Sequence, residues 1–272
     1  MVSFSTRHLV GKGPSRVNPF NWPEGTASGR ASVQPVKIAV VIPALDEEEQ
    51  IAGTIETAQA AKESSRNPGP VGAERVEIEV VVVDAGSQDR TVGRAQEAGA
   101  RVLSSERGRA RQLEKGWRAV TADVILFLHA DTRLPPGWAP AVAASLSDGR
   151  RVGGAFRLRL DASGAALRMV EFFARLRVAL LALPYGDQAI FVRRSALEAL
   201  GGIPDVPIME DLDLIREMKK QGRITVLGLE ARTSARRYLD HGVARTAWIH
   251  LVALVGWRLG IDRVRVAAWC GR

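Results

Sequence analysis

The stretch VILFLHADTRLP, residues 124–135, constrains the fold most, because an unbroken apolar run stops at His129 and Asp131. Continuous apolar runs are typical of parallel strands that are buried on both faces. In open α/β sheets, ligands bind just outside the carboxyl ends of such strands. Asp131 is therefore placed either to hold a divalent metal or a ribose hydroxyl, or to cap the turn before Pro135 and Pro136.

Similar apolar runs recur through the first half of the chain and alternate with helical patterns. Strands are predicted at residues 36–44, 76–84, 101–105 and 124–130. Helices are predicted between them, at residues 46–62, 91–99 and 107–120. Strands that alternate with helices indicate βαβ units and a mostly parallel sheet. The predicted fold class is therefore α/β.

The second half of the chain has more mixed patterns. The alternation at residues 152–160 predicts an exposed strand, and residues 164–183 predict a long helix that packs on the sheet. Further strands are predicted at residues 188–194 and 223–231. The apolar stretch at residues 243–259 is too short to span a bilayer, which needs about 20 residues.

Composition indicates a globular chain with anionic partners. The 272 residues are 46% hydrophobic and 25% charged, which suffices for one large domain, or for a domain plus a small extension, with a sizeable core. The net charge of +8 favours nucleotide phosphates, nucleic acid or anionic lipid. Cys270 is the single cysteine, so the chain has no internal disulfide or cysteine-based zinc site, and a reducing, cytoplasmic location is expected.

Several function classes are disfavoured. The sequence contains no glycine-rich phosphate loop of the GxGxxG or GxxxxGK type, which argues against a dinucleotide-binding or P-loop protein. The arginines are scattered and only 6% of the residues are aromatic, which argues against a nucleic-acid partner. Residues 1–35 are rich in Gly, Pro, Ser and Asn and are predicted to be a disordered leader.

Acidic residues follow three of the predicted strands. Asp46 and Glu47 follow the first strand, Asp84 ends the second, and Asp131 follows the fourth. Each alone is explained as a cap or turn former. Together they face one crevice, where a bound cation or hydrogen bonds to a nucleoside would relieve their mutual repulsion. This arrangement is the first sequence argument for a nucleotide site.

Charged residues at two predicted helix starts have open interpretations. Glu210 and Asp211 either complement the helix dipole, which is worth about 0.3–1 kcal/mol, or present a general base on a rigid helix end. Arg107, Arg109 and Arg111 oppose the dipole of their helix, which indicates either a function or a solvated face.

A further basic segment, ARTSARRYLDHG, is predicted to be a loop that carries Arg232, Arg236 and Arg237. Basic loop residues near an anionic leaving group can stabilise the charge that develops on it.

An ordered set of motifs resembles family 2 glycosyltransferases with the GT-A fold. The motifs are VVIPALDEEEQI, VVVDAGSQDRT, LFLHADTRLP, GDQAIFVRRSALEALGG, IMEDLDL and TSARRY. The HAD and GDQAIFVRR segments are most similar to the bacterial subgroup often labelled arsenosugar-biosynthesis-type glycosyltransferases. The resemblance implies a Rossmann-like, mostly parallel sheet flanked by helices, with a small antiparallel portion. It places the glycosyltransferase domain at residues 36–240, after the disordered leader at 1–35, and leaves an amphipathic helical extension at 241–272.

The resemblance implies a nucleotide-sugar donor, with UDP as the expected nucleotide. Asp84 matches the aspartate that binds the base. The other residues that match donor-nucleotide positions are Pro43, Leu45, Glu47, His129, Arg236 and Arg237.

The resemblance also implies an inverting, metal-dependent transfer of the sugar to an acceptor hydroxyl. Asp211 matches the catalytic base that takes the acceptor proton. The sugar and acceptor pocket is expected to include Gly186, Asp187, Gln188 and Glu210.

The HAD segment matches the metal-binding DxD motif, with Asp131 as the ligand for Mg²⁺ or Mn²⁺. His129 replaces the first acidic residue and brings no negative charge, so it either binds metal or ribose, or is a satisfied strand-end histidine. His241 is a further candidate metal ligand or a loop histidine in solvent.

The C-terminal stretch is predicted to lie at a membrane surface. Tryptophans and arginines in and after residues 243–259 are typical of an interfacial helix. They are Trp248, Trp257, Arg245, Arg258, Arg263 and Arg265. Peripheral contact with anionic lipid at the inner membrane face and a lipid-linked acceptor follow as expectations.

Two alternative functions remain open at this point. A nucleotidyltransferase shares the sheet type, although the segment after the first strand is acidic rather than basic and glycine-rich. A catalytically silent nucleotide-sugar-binding module is favoured only by His129 in place of the first acid.

Overall fold

The computed structural model of the chain describes residues 35–64 and 75–271. The predicted disordered leader before Pro35 and nearly all of the predicted loop at residues 64–74 lie outside the described residues.

The described residues form strands and helices that alternate in the first half, as the apolar runs predict. The strands are β1 (Val36–Ala44), β2 (Val76–Asp84), β3 (Arg101–Ser104), β4 (Val124–Phe127), β5 (Thr132–Arg133), β6 (Arg151–Leu160), β7 (Ile190–Arg193) and β8 (Arg223–Thr233). The helices are α1 (Ile51–Ser64), α2 (Thr91–Glu97), α3 (Arg109–Arg118), α4 (Trp138–Leu146), α5 (Ala165–Leu181), α6 (Arg194–Leu200), α7 (Glu210–Gln221), α8 (Arg236–His241), α9 (Val243–Arg258) and α10 (Arg263–Trp269). A short 3-10 turn covers Gly186–Gln188.

The strands form one sheet in the order β3-β2-β1-β4-β7-β6-β8-β5. Strands β3, β2, β1 and β4 run parallel, whereas β7 is antiparallel to both of its neighbours. The predicted α/β class, with a mostly parallel sheet and an antiparallel portion, is confirmed. Because β1, β2 and β4 are parallel, their carboxyl ends meet at one edge.

Both faces of the central strands are buried. Along β1, Ile38, Val40 and Ile42 belong to the core on one face of the sheet, and Ala39 and Val41 belong to the core on the other. Helix α3 approaches the second face so closely that a Cβ on Gly116 would lie 2.3 Å from Val41 Cγ1. Only glycine permits this approach, which sets α3 directly against β1.

Three predictions about local structure are wrong. Helix α1 begins at Ile51 rather than Asp46, because Asp46 has a left-handed φ of 53° and the chain turns before the helix. The basic segment predicted as a loop contains helix α8. Strand β6 is mostly buried rather than exposed, because it lies between β7 and β8 inside the sheet.

Two further expectations about packing hold for only some of the residues named. Helix α5 packs on β6 through Leu167 and Ala174, but much of its apolar surface stays outside: Phe172 and Phe173 are 56% and 58% exposed. In the C-terminal segment, Trp257 is buried and Arg263 pairs with Asp213 of α7, so neither faces outward as an interfacial helix requires. Trp248 is 64% exposed.

Candidate active site

A cavity of about 420 Å³ opens beyond the carboxyl end of β4, where His129 and Asp131 follow the strand. This volume is typical of small-molecule sites. Asp131 and Asp211 both line the cavity, together with His129, Gly186 and Asp187. A smaller adjoining recess shares several of these residues and is also lined by Pro43 and Glu210. Residues that are far apart in the chain thus converge on one cleft.

Asp211 is held firmly in the first turn of α7. Its Oδ2 accepts a hydrogen bond of 2.7 Å from the Gly186 backbone N–H, and its Oδ1 accepts one of 2.9 Å from the Leu212 N–H. Met209, which precedes the acidic pair, has a left-handed φ of 68°. Strained backbone of this kind is frequent at functional sites, where the surrounding structure holds it in place.

Gly186 fits between two of the predicted site residues. A Cβ at this position would lie 2.8 Å from His129 Nε2 and 3.2 Å from Asp211 Oδ2. The backbone of the 3-10 turn therefore approaches both side chains more closely than any other residue allows.

Glu210 and His129 are joined by Arg109. Glu210 is 3% exposed and forms an ion pair with Arg109 Nε. The Nη1 atom of Arg109 lies 3.1 Å from His129 Nε2. Burial lowers the pKa of Arg109, but Glu210 and Asp211 outweigh it and raise that pKa above its ordinary value.

Two carboxyl groups of the cavity lie in surroundings that disfavour their ionised forms. Burial raises the pKa of Asp131, although Arg237 and Arg236 oppose the shift. Burial also raises the pKa of Asp187, against Arg177, Arg109 and Arg237. Asp187 Oδ1 is buried and has no hydrogen-bond partner among the described residues. Each carboxylate would be stabilised by a cation in the cavity.

Glu47 and the two predicted arginines lie at the same edge. Arg236 Nη2 pairs with Glu47 Oε2 at 3.0 Å, and Arg237 lines the cavity. Burial raises the pKa of Glu47, Arg236 lowers it, and the charge of Asp131 raises it further. Glu47 and Asp131 are therefore electrostatically coupled across the edge.

Other predicted site residues are placed differently. Asp84 is buried at the end of β2, and its carboxylate accepts bonds from the N–H groups of Gly86 and Ser87 at 2.9 and 3.1 Å. It forms a turn there and is not among the cavity-lining residues. Gln188 is also buried outside the cavity, with its amide bonded to Phe156 O and Arg177. Leu45 is 36% exposed just after β1, and His241 lines the cavity from α8.

Sequence reasoning missed one wall of the cavity. Helices α8 and α9 supply it, through Tyr238, Arg245, Thr246, Ile249, His250 and Ala253. Tyr185, from the segment before the 3-10 turn, completes this wall and packs edge-on against His250. The sequence signal was weak, because Arg245 and His250 stood out only as interruptions of an apolar stretch.

The opposite side of α9 carries apolar residues that face outward. Trp248, Leu251 and Val255 are 64%, 49% and 46% exposed, and α9 contacts α5, whose phenylalanines are also exposed. Within the described ranges, none of the helices has the length and apolar character that crossing a bilayer requires.

Comparison with known proteins identifies relatives of the chain. The sequence profile of glycosyl transferase family 2 matches residues 39–201, more than half of the chain. The glucosyl-3-phosphoglycerate synthase of Mycolicibacterium smegmatis is 34% identical over 141 residues, which cover 47% of this chain and 43% of the relative. The undecaprenyl-phosphate 4-deoxy-4-formamido-L-arabinose transferase of Serratia proteamaculans is 26% identical over 62% of this chain and 52% of the relative. The chain thus spans about half the length of these curated relatives.

Solved structures share the fold. The glucosyl-3-phosphoglycerate synthase of Mycobacterium tuberculosis, in complex with phosphoglyceric acid, has a TM-score of 0.56 at 23% identity, over 84% of this chain and 81% of that chain. The same enzyme in complex with Mn²⁺, UDP and glucosyl-3-phosphoglycerate has a TM-score of 0.54 at 22% identity, with the same coverage. The architecture is GT-A-like, and the profile match shows that the chain belongs to glycosyl transferase family 2.

Proposed function

We propose that the chain is an inverting glycosyltransferase that moves a sugar from a UDP-sugar to an acceptor hydroxyl. The observation that carries this proposal is the convergence of Asp131 and Asp211 on one cavity, from segments 80 residues apart in the chain. A metal-ligand carboxylate and a base that face the same cleft are what displacement at an anomeric carbon requires. Family membership and the UDP complexes of the solved relatives support the choice of donor.

Asp211 acts as the general base in this proposal. Its carboxylate accepts the proton of the acceptor hydroxyl while the acceptor oxygen forms a bond to the anomeric carbon and the bond from that carbon to the diphosphate breaks. The hydrogen bond from Gly186 keeps Oδ2 in one position before the acceptor arrives. A fixed base orientation lowers the entropic barrier to reaction. The diphosphate leaves as part of UDP.

The basic residues at the edge meet the donor diphosphate. Arg237 lines the cavity, and Arg236 lies beside Glu47 at the end of β1. Their positive charges stabilise the negative charge that develops on the departing diphosphate. Pro43, Leu45 and Glu47, at and just after the end of β1, are the residues that would contact the nucleoside, whereas the Asp84 carboxylate is already engaged by the turn of Gly86 and Ser87.

The residues present fit a divalent cation that is shared with the donor. In the part of the chain that the structure describes, no three His, Cys, Asp or Glu side chains lie together as a complete metal site. Mg²⁺ is usually held by one or two carboxylates plus substrate phosphates, so a complete protein cage is not expected. Asp131 would hold the ion, the unpartnered Asp187 Oδ1 and His241 are further candidates, and the ion would neutralise diphosphate charge.

A thermal-shift panel of UDP-, GDP-, dTDP- and CDP-sugars, each with Mg²⁺ or Mn²⁺, tests the donor. A ligand that prefers the native state raises the melting temperature, so only UDP-sugars should shift it strongly. Asp211→Asn should bind UDP as the wild type does and lose transfer. Binding without turnover in the wild type would instead favour a silent binding module, and no binding of any nucleotide sugar would refute the proposal.

The acceptor side of the proposal is a lipid-linked hydroxyl at an anionic membrane surface. Helix α9 lines the cavity on one side and exposes Trp248 and Leu251 on the other. The exposed phenylalanines of α5 extend this apolar surface. Arg258, which is exposed on α9 and does not line the cavity, complements anionic lipid, with about 1 kcal/mol for a basic residue near the surface. An acceptor with its head in the cavity would have its apolar tail at this surface, on the inner face of a membrane.

Vesicle flotation tests the membrane contact. The wild type should float with phosphatidylglycerol vesicles more than with phosphatidylcholine vesicles, and Phe172→Ser/Phe173→Ser should float less. Absence of flotation together with a dimeric mass in solution would assign the apolar surface to a second copy of the chain and reject the membrane.

A further inference from the structure

We propose that Arg109 is a positioning residue that holds the base-bearing end of the site together. This inference rests on the proposed glycosyltransferase function. The three arginines at the start of α3 share one sequence motif but have different surroundings. Arg111 points outward, is half exposed, and pairs with Glu106 and Asp205. Arg109 instead points into the cleft and lines both cavities.

The guanidinium of Arg109 joins two segments that are not neighbours in sequence. Its Nε donates to Glu210 Oε1 at the start of α7, and its Nη1 donates to His129 Nε2, which follows β4, at 3.1 Å. A guanidinium has donors only, so His129 Nε2 must be the acceptor. That hydrogen bond uses the nitrogen that faces Arg109 and fixes the plane of the imidazole.

The pairing also balances charge beside the base. Glu210 is nearly fully buried and precedes Asp211 directly, so two carboxylates begin the same helix. Arg109 interacts electrostatically with Glu210, Asp211 and Asp187. Because arginine stays protonated at any physiological pH, it supplies a permanent positive charge among three carboxylates.

The contacts of Arg109 with Glu210 and His129 also fix the two side chains between which Gly186 packs. Gly186 packs between His129 Nε2 and Asp211 Oδ2, and its N–H bonds Asp211. Removing the Arg109 side chain would release the His129 ring on one side of Gly186. On the other side it would leave Glu210, the residue directly before Asp211, without its positively charged partner. The Asp211 carboxylate would then lose its defined position, although no atom of Arg109 needs to touch the reacting groups.

Steady-state hydrolysis of UDP-glucose, followed as UDP release with water as the acceptor, tests this role. Arg109→Met should lower kcat by about 100-fold, the effect of a displacement of about 1 Å in a catalytic group, while the Kd for UDP stays within threefold. Arg109→Lys keeps the charge without the two-pronged geometry and should lose at least about tenfold in kcat. Arg111→Met, on the same helix, is the matched control and should keep the wild-type rate.

Folding and function are separated by further readouts. If Arg109→Met does not fold, Arg109→Met/Glu210→Gln removes the unpaired buried charge and should fold with the same low kcat. Methylguanidinium added to Arg109→Ala should restore part of kcat, which a purely structural defect would not show. Arg109 variants that fold and keep kcat within threefold of an active wild type would overturn the positioning role alone, whereas a wild type without any UDP-sugar turnover would overturn the proposed function.

Discussion

Gly186→Ala is the substitution for which the structure makes the sharpest prediction. The added Cβ would stand 2.8 Å from His129 Nε2 and 3.2 Å from Asp211 Oδ2. Contacts between such atoms are favourable near 3.5 Å, so His129 or the turn must move by about 0.7 Å. The two neighbouring side chains have little room to move, because Asp211 accepts a hydrogen bond from the same glycine and His129 is hydrogen-bonded to Arg109.

The substitution should lower both the stability of the protein and the rate of catalysis. Overpacking by one methyl group typically destabilises a protein by about 1–3 kcal/mol. A displacement of this size in Asp211, the proposed base, should lower kcat by about 100-fold, equivalent to about 2.7 kcal/mol in the barrier. UDP binding should change little, because the arginines proposed to bind the diphosphate come from other segments.

The assay is UDP release from UDP-glucose at saturating donor, with UDP affinity and melting temperature measured on the same preparations. Gly93→Ala is the matched control: it lies within α2 and its added Cβ would meet nothing within 4 Å. Alanine is the better helix former by about 0.5–1 kcal/mol, so this control should be as active as the wild type and slightly more stable. A Gly186→Ala variant with wild-type kcat would refute the inferred closeness of the turn to the base.

Three more outcomes are expected. Burial raises the pKa of Asp187, so the unfolded chain loses this proton at lower pH than the folded chain, and the folded state is penalised increasingly up to the raised pKa. Asp187→Asn should therefore add about 1–3 kcal/mol of stability at pH 7.5 and almost none below about pH 3.5, measured by thermal melts at both pH values. Asp213→Ala removes the buried partner of Trp257 and Arg263, and should lower the free energy of unfolding by about 3–5 kcal/mol. Hydrogen exchange in α9 and α10 should become faster. Exchange as slow as in the wild type would contradict the inference that Asp213 holds these two helices against α7. Chelation with EDTA should stop UDP release, and Mg²⁺ should restore it; unchanged turnover in EDTA would remove the metal from the proposal.

Much of the fold was predictable because strands that are buried on both faces appear in the sequence as runs of apolar residues. The runs at residues 36–44 and 76–84 are largely apolar, interrupted by one lysine in the first and three acidic residues in the second, and they form β1 and β2 with both faces covered along most of their length. The prediction that α5 buries its apolar side chains on the sheet was only partly right. An apolar helix face predicts burial but does not say what covers it, and several of these side chains are exposed.

The candidate site was predictable only in part. Asp131 and Asp211 were found from their motifs, and the structure brings them to one cavity. Asp84 and Gln188 matched motifs equally well, yet their side chains are engaged by neighbouring protein groups instead. The position of a motif predicts at which edge of the sheet a residue lies. Whether its side chain is free to meet a ligand depends on hydrogen-bond partners that other parts of the chain supply.

By itself, the sequence determined the alternation of strands and helices, the edge at which acidic residues gather and the family to which the chain belongs. Those properties depend on local apolar periodicity and short motifs. Only the tertiary structure decided that Arg109 bridges Glu210 and His129, that Glu47 meets Arg236, and that α8 and α9 wall the cavity. Each of these contacts joins segments that are distant along the chain, and it exists because close packing of the helices on the sheet brings them together, which no local pattern records.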